Sequence, residues 1–183
     1  MQHTQKPQGS ILGPLIFLIY VNDMPQSVDC DLLLYADDTY LGFTDKNVKT
    51  IEDNLNRNFN SLCDWFVENK LSIHFGDDKT KSIVFGSKRR LKKLDNLDIR
   101  RGEIKISQQN KVTYLGCILD DDISGESMAS RVMNKISSRL SFLYRKQSFL
   151  NSKLRRMLCN ALIQPHFDYA CSAWYSNLNK STE

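Results

Sequence analysis

Residues 31–43 have the sequence DLLLYADDTYLGF, and this stretch decides the fold. Two runs rich in strand-forming residues flank a pair of adjacent acids, Asp37 and Asp38. Neighbouring residues in a regular strand point to opposite faces, so the two carboxylates can serve one site only where the chain turns. The stretch therefore predicts a β-hairpin with Asp37 and Asp38 at its bend.

The adjacent carboxylates have two interpretations. An isolated Asp-Asp pair commonly does no more than begin a turn. Two neighbouring carboxylates also repel each other, and the arrangement becomes favourable when hard divalent cations neutralise them. Mg²⁺ prefers carboxylate oxygen and keeps substrate phosphates among its other ligands. The pair is therefore a candidate metal site for phosphoryl transfer, provided that its context supports one.

The sequence around the hairpin predicts helices on both sides. Residues 11–20 are almost entirely apolar, which favours a helix that begins near Pro14 and lies deep in the core. Residues 48–66 repeat apolar side chains at spacings of three and four, which predicts a long amphipathic helix with Thr44 or Asp45 as N-cap. Trp65 and Phe66 on this helix are expected in the core.

Further along, residues 71–75, 82–85, 104–106 and 112–119 are short strand-like runs. Helical periodicity then returns on two stripes, formed by Met128, Val132, Ile136, Leu140 and Leu143 and by Leu154, Leu158 and Leu162. The order predicts an α+β fold followed by a helical region, with a boundary between Asp120 and Gly125.

The charge of the chain is unevenly distributed. The net charge is only +4 over 183 residues, which gives weak support for a polyanionic partner. Residues 127–167 contain no Asp or Glu, yet carry Arg131, Lys135, Arg139, Arg145, Lys146, Lys153, Arg155 and Arg156. A phosphate backbone could lie along these cations, and a solvated helix face with counter-charges from other segments is the alternative.

Cysteine usage and hydropathy bear on the compartment. The five cysteines are widely scattered and include no C-x-x-C pair, which predicts reduced, buried thiols. The apolar run at 11–21 is shorter than the roughly 20 residues needed to span a bilayer, and no cleavage site follows it. We therefore expect an intracellular protein, in cytoplasm or nucleus, without a membrane partner.

Four motifs in a fixed order now supply the context of the acidic pair. Residues 7–15 read PQGSILGPL, residues 35–39 read YADDT, residues 69–72 read NKLS with KTK at 79–81, and residues 114–116 read YLG. In order and spacing they resemble the motifs of non-LTR retrotransposon reverse transcriptases, and the resemblance covers residues 7–174. It implies a nucleotidyltransferase, an RNA-directed DNA polymerase acting on an RNA template, a DNA primer and deoxynucleotides.

The resemblance also implies a fold and cofactors. Residues 1–122 would be part of a right-hand polymerase palm, with an antiparallel sheet and packed helices, and residues 123–183 a helical thumb-like region; the fingers would be missing. Two Mg²⁺ ions, with Mn²⁺ as an alternative, would be the cofactors. Asp37 would be a principal ligand of these ions, and Asp38 would share the site less directly.

The same resemblance implies a role for the residues of each remaining motif. Gln8, Gly9 and Ser10 would lie against the incoming nucleotide and the template. Lys79 would lie near the nucleotide phosphates, with Lys81 as the alternative. Tyr114, Leu115 and Gly116 would grip the primer 3′ end, and an ordinary buried strand is their other interpretation. The nucleic-acid backbone would contact the cations Arg131, Lys135, Arg139, Arg145 and Lys146.

The chain departs from this family at its beginning. The first palm motif, which carries another metal-binding aspartate, is expected upstream of Gln8, and only seven residues precede that position. Gln5 and Lys6 also differ from the usual lead-in. We therefore expect that the chain alone is not a competent polymerase. A catalytically dead nucleic-acid-binding remnant is the alternative function, and an inert product with exposed apolar surface is a third.

Overall fold

A computed structural model describes residues 12–76 and 79–178. The helices are α1 (Leu12–Tyr20), α2 (Val48–Glu68), α3 (Lys88–Leu91), α4 (Glu126–Arg145), α5 (Ser152–Leu162), α6 (Gln164–Asp168) and α7 (Cys171–Leu178). Short 3₁₀ turns lie at Met24–Ser27 and Gln147–Phe149. The strands are β1 (Asp31–Tyr35), β2 (Asp38–Gly42), β3 (Arg100–Arg101), β4 (Ile104–Lys105), β5 (Lys111–Tyr114) and β6 (Cys117–Asp120).

The strands pair as three antiparallel hairpins, β1 with β2, β3 with β4 and β5 with β6. In each hairpin the last residue of the first strand faces the first residue of the second, as Tyr35 faces Asp38 and Tyr114 faces Cys117. The predicted combination of helices with antiparallel strands is confirmed at this level. The assignment to palm and thumb stays a prediction.

The chain divides into two compact units. Unit 1 comprises Met1–Thr80 and Asn96–Ser107, and unit 2 comprises Lys81–Asp95 and Gln108–Glu183. The predicted division into residues 1–122 and 123–183 rests on the family resemblance and stays a prediction.

Unit 1 has a core of buried side chains between α2 and the segments before β1. Val21, Met24, Leu62 and Trp65 are buried, and Phe66 packs against them. The predicted amphipathic helix and the core position of its two aromatic residues are thus confirmed. The predicted N-cap is wrong: the side chain of Asn47 accepts the hydrogen bond from the Lys49 backbone N–H.

The reason for this N-cap correction is local. Asn47 has extended backbone angles, φ −99° and ψ 120°, as an N-cap requires. The side chain of Asp45 instead accepts a hydrogen bond from the Asn47 backbone N–H at 2.7 Å, which fixes the approach to the helix. Asp45 therefore supports the cap without being the cap.

The burial predicted for the first apolar run is wrong, although its helix is confirmed. None of the α1 side chains is buried, and Leu12, Ile16 and Ile19 are each at least 60% exposed. Phe17 packs against the core of unit 1, but an all-round apolar helix needs partners on several sides. The described residues supply them on one side only.

Three strand predictions are also corrected. Residues 71–75 form no strand, and residues 82–85 contribute only an isolated bridge from Ser82 to Gln108, because no neighbouring strand in the described ranges pairs with them. The run at 112–119 is two strands joined by a turn, not one strand. A strand needs a partner for its backbone groups, and sequence pattern alone does not supply it.

Unit 2 is built around one face of α4. Met128, Val132 and Ile136 are buried together with Cys117 and Trp174. The predicted stripe is confirmed for these residues and for Leu143, whereas Leu140 is 48% exposed. The buried carboxylate of Asp120 accepts a hydrogen bond from the Ser127 backbone N–H at 3.1 Å, which favours the N-terminus of α4.

The five thiols are all free. Cys63 and Cys117 are buried, and burial raises the pKa of both. Cys171, the first residue of α7, is exposed, so the prediction of buried thiols is wrong for it. Within residues 12–76 and 79–178, no helix has the length and apolar character that a bilayer span requires.

Candidate active site

The acidic pair lies at the tip of the β1–β2 hairpin. Tyr35 faces Asp38 across the strands, so the turn consists of Ala36 and Asp37 alone. Ala36 has a φ of +52°, in the left-handed region that costs a residue with a Cβ about 1 kcal/mol or more. The predicted hairpin is confirmed, with Asp37 in its turn and Asp38 as the first residue of β2.

Both carboxylates are open to solvent. Asp37 and Asp38 are exposed, and within the described ranges neither side chain accepts a hydrogen bond or pairs with a cation. Residues that face each other across antiparallel strands share a face, so Asp38 shares one with Tyr35 and Leu33. Tyr35 is 63% and Leu33 56% exposed, so this face of the hairpin is available to a ligand.

The opposite face of the hairpin packs against the core of unit 1. Leu32, Leu34 and Leu41 pack against the core that contains Leu62 and Trp65. Alternation along each strand therefore separates a core face from the face that carries Asp38. The hairpin that carries the two acids is therefore held in place by the packing of its other face against the core.

A buried amide anchors the entrance to β1. The side-chain oxygen of Asn58, on α2, accepts a hydrogen bond from the Asp29 backbone N–H at 2.6 Å. Its amide nitrogen donates to the Asn54 carbonyl at 2.9 Å, and only 2% of Asn58 is exposed. Sequence reasoning missed this residue. A polar residue within the apolar periodicity of α2 was the one available signal.

The donor set at the tip suits a divalent cation. The two adjacent carboxylates are exposed and have no partner in the described part of the chain, so their oxygens are free to act as ligands of the kind that Mg²⁺ prefers. A two-metal site usually takes more than two protein carboxylates. Among residues 12–76 and 79–178, no group of three or more His, Cys, Asp or Glu side chains could hold a metal ion.

Of the other residues predicted near the nucleotide, the structure describes the two lysines but not the PQGS residues. Gln8, Gly9 and Ser10 lie outside the described residues. Lys79 is exposed in unit 1, and its backbone N–H donates to the Gly76 carbonyl at 2.9 Å. Lys81 is also exposed but belongs to unit 2. The choice between the two lysines stays a prediction.

The predicted primer grip forms the turn of the β5–β6 hairpin. Leu115 and Gly116 are its two central residues, with φ values of +46° and +76°. Two positive φ values in a two-residue loop are typical of a type I′ turn, which matches the twist of the flanking strands. The strand interpretation is therefore corrected to a turn for Leu115 and Gly116, whereas Tyr114 is the last residue of β5. The role of these residues at a primer stays a prediction.

A tyrosine far along the chain holds this turn. The Tyr169 hydroxyl donates a hydrogen bond to the Leu115 carbonyl. The indole N–H of Trp174 in turn donates to the Tyr169 carbonyl at 3.1 Å. Sequence reasoning missed Tyr169, because nothing in its local pattern marks a contact 54 residues away.

The cations of the helical region serve different purposes. Arg139 donates to the Leu162 carbonyl at 3.0 Å, which satisfies a carbonyl at the end of α5. Burial, followed by the charges of Arg139 and Lys135, lowers the pKa of His166. Arg131 is half-buried, whereas Lys135, Arg145 and Lys146 are exposed. Exposed side chains are the ones that a phosphate backbone can reach.

Comparison with known proteins decides the family. Residues 1–119 match the model of the family described as reverse transcriptase (RNA-dependent DNA polymerase). The chain belongs to the reverse transcriptase family. The predicted similarity to the enzymes of non-LTR retrotransposons is confirmed by the curated relatives of this chain.

Two of these relatives come from flies. One is the probable RNA-directed DNA polymerase from transposon X-element of Drosophila melanogaster, 24% identical over 179 residues, which is 92% of this chain and 19% of the relative. The other is the RNA-directed DNA polymerase from mobile element jockey of Drosophila funebris, 23% identical, with the same coverage of 92% and 19%. The chain thus spans about a fifth of the length of these relatives. No solved structure matches it.

Proposed function

We propose that this chain forms part of the catalytic module of an RNA-directed DNA polymerase, and that Asp37 and Asp38 bind its divalent metal. One observation carries the proposal: two adjacent carboxylates, exposed and without partners in the described residues, stand at the tip of a two-residue hairpin turn. Membership of the reverse transcriptase family supplies the reaction class.

The chemistry requires negative ligands at this position. When bound, Mg²⁺ would lower the charge repulsion between a primer hydroxyl and the nucleotide phosphates and stabilise the leaving oxygen. Asp37 and Asp38 would hold the ion by carboxylate oxygens, and the packed core face of the hairpin would limit their movement. RNA template, DNA primer and deoxynucleotides are the proposed partners.

The remaining site residues are proposed in supporting roles. Gln8, Gly9 and Ser10 would contact nucleotide and template, and Lys79 would lie near the nucleotide phosphates. The turn at Leu115 and Gly116, after Tyr114, would position the primer end. The exposed cations Lys135, Arg145 and Lys146, with Arg131 and Arg139, would lie along the nucleic-acid backbone in a thumb-like region (123–183) that follows a palm (1–122).

The same geometry supports a second candidate, a nucleic-acid-binding remnant without catalysis. The observation in its favour is that Asp37 and Asp38 have no third acidic ligand among the described residues. Two carboxylates leave a two-metal site incomplete in both position and charge. We therefore expect that a segment outside the described residues must supply a further ligand before polymerisation occurs.

Primer extension on a polypurine RNA template with Mg²⁺ tests the proposal. The purified chain is compared with Asp37→Ala and with Asp31→Asn, which removes a charge from the far end of the same hairpin face. We expect binding of the hybrid without extension. Extension that is lost in Asp37→Ala alone would establish catalysis at the hairpin and overturn the proposed incompleteness. Absence of hybrid binding, or extension that survives Asp37→Ala, would contradict the proposed function.

A further inference from the structure

Residues 88–93, here called the basic turn, have the densest positive charge in the chain. Their sequence is KRRLKK, five cations in six residues. The first four form the short helix α3, and Lys92 and Lys93 continue the turn. All five basic side chains are exposed. Like charges held this close repel one another, and a polyanionic partner would relieve that repulsion.

The basic turn has a defined backbone conformation. The N–H groups of Arg90 and Leu91 donate to the Ser87 carbonyl at 2.8 and 3.0 Å, and the Gly86 N–H donates to the Asp121 carbonyl at 3.0 Å. The side chain of Leu91 lies over Gly86, where a Cβ would meet it at 3.5 Å. The segment is thus fixed to the end of β6 within unit 2.

One of the five cations has a structural role. The ammonium of Lys88 pairs with the Asp122 carboxylate at 3.1 Å. Asp122 is only 13% exposed in its side chain, so the bridge ties the start of α3 to the loop after β6. Arg89, Arg90, Lys92 and Lys93 have no ion pair within residues 12–76 and 79–178. Four cations therefore remain available to a partner, with Asp95 as the exposed acid that follows them in sequence.

From this geometry we infer that the basic turn binds the phosphate backbone of a nucleic acid, independently of base sequence. It contains no aromatic side chain on which a base could stack, so phosphate is the group it can recognise. The four helical residues rise roughly 6 Å at about 1.5 Å per residue, and Lys92 and Lys93 extend the segment further. A segment of this length faces two or three phosphates of one duplex strand, which advance about 3.4 Å each along the helix axis. Exposed guanidinium groups suit phosphate geometry.

This inference goes beyond the proposed function, because it needs neither a metal ion nor catalysis. It adds a contact surface that is separate in sequence from the hairpin acids and from the cations of α4. Binding can therefore be measured with EDTA present. Failure of metal binding at Asp37 would leave the result unchanged, and loss of the basic turn's contact would leave metal binding unchanged.

Fluorescence anisotropy of a short mixed-sequence RNA–DNA hybrid tests the inference. The variant is Arg89→Gln with Arg90→Gln, and Lys88 is kept because it anchors the turn. The matched control is Lys46→Gln with Arg57→Gln, two exposed cations of unit 1 that have no ion pair in the described ranges. Both doubles lower the net charge equally. Thermal melts should confirm that both fold like the wild type.

The expected result concerns the dependence on salt. Loss of two phosphate contacts should reduce the slope of log affinity against log salt by about 1.8, so that the wild type loses roughly tenfold more affinity than the variant between about 50 and about 200 mM salt. The control should keep the wild-type slope. Equal slopes for the variant and the control would overturn the inference. A segment that binds a protein partner instead of nucleic acid would give that result.

Discussion

The hydroxyl of Tyr169 donates a hydrogen bond to the carbonyl of Leu115, which joins two residues 54 positions apart. The bond ends on the turn of β5–β6, where both central residues have positive φ. Because Trp174 holds the Tyr169 carbonyl in turn, the loop predicted to grip a primer is fixed by the last helices of the chain. The position of this loop thus depends on residues far beyond it in sequence.

Removal of this hydroxyl should loosen the turn. Tyr169→Phe keeps the ring but removes the donor, and a hydrogen bond of this kind contributes about 1 kcal/mol to stability. We expect a loss of about that size in the free energy of unfolding, measured with urea, and faster amide exchange at Gly116. Tyr144→Phe, at a tyrosine that is 72% exposed, is the control and should change neither. Equal exchange at Gly116 in both variants would contradict the role of Tyr169.

Two glycines should differ in their tolerance of a methyl group. At Gly116 a Cβ would lie 3.4 Å from the Tyr169 hydroxyl, whereas at Gly125 it would clash with the backbone carbonyl oxygen of Trp174. Both have positive φ, +76° and +74°, so the backbone cost is shared, about 1 kcal/mol. Gly125→Ala must also displace a backbone group and should lower the melting temperature more than Gly116→Ala. The reverse order would show that Trp174 does not pack closely on Gly125.

Asn58 should contribute to the stability of the fold through the hydrogen bond that its side chain accepts. Asn58→Ala removes the acceptor of the part-buried hydrogen bond from the Asp29 N–H, and a hydrogen bond of this kind contributes about 1 kcal/mol to stability. We expect that loss in urea unfolding, together with chemical-shift changes at the start of β1. Asn134→Ala, at an exposed asparagine of α4, is the matched control and should be nearly neutral. A neutral Asn58→Ala would mean that the amide does not anchor the hairpin.

Asp122 should give the chain an acid-sensitive component of stability. Burial raises the pKa of Asp122, but hydrogen bonds from Ser124 and Lys88 outweigh it, and the folded pKa lies below the ordinary 3.8. A lowered folded pKa contributes stability that is present above 3.8 and lost as the pH falls through the folded value. The difference in unfolding free energy between wild type and Asp122→Asn should therefore shrink below pH 3.8. A difference that stays constant on acidification would contradict this.

Local patterns predicted much of the fold, and long-range contacts explain the rest. The hairpin at 31–43 and helix α2 follow from alternation and periodicity, which short stretches of sequence contain in full. The turn at Leu115 was missed because it lacks the Asn-Gly or Asp-Gly pair typical of such loops. Burial of α1 was overestimated because an apolar composition favours burial, but burial also requires neighbouring segments that pack against the helix.

The candidate site shows the same division. Asp37 and Asp38 were identified from adjacent residues and an ordered set of motifs, and the structure gives them the predicted bend. The contacts that support the predicted functional loops, from Asn58 to Asp29 and from Tyr169 to Leu115, span 29 and 54 residues. Hydrogen bonds over such separations depend on the tertiary fold, so one sequence alone does not reveal them.

Binding of Mn²⁺ to the isotope-labelled chain tests the metal role of the acidic pair most directly. Paramagnetic broadening of backbone amide signals, at substoichiometric Mn²⁺, should centre on residues 36–38 and disappear in Asp37→Asn with Asp38→Asn. It should persist in Asp31→Asn, which lies about 13 Å away at the other end of β1. Broadening that survives the double substitution, or that centres on another acidic segment such as Asp120–Asp122, would contradict the assignment of the metal to Asp37 and Asp38.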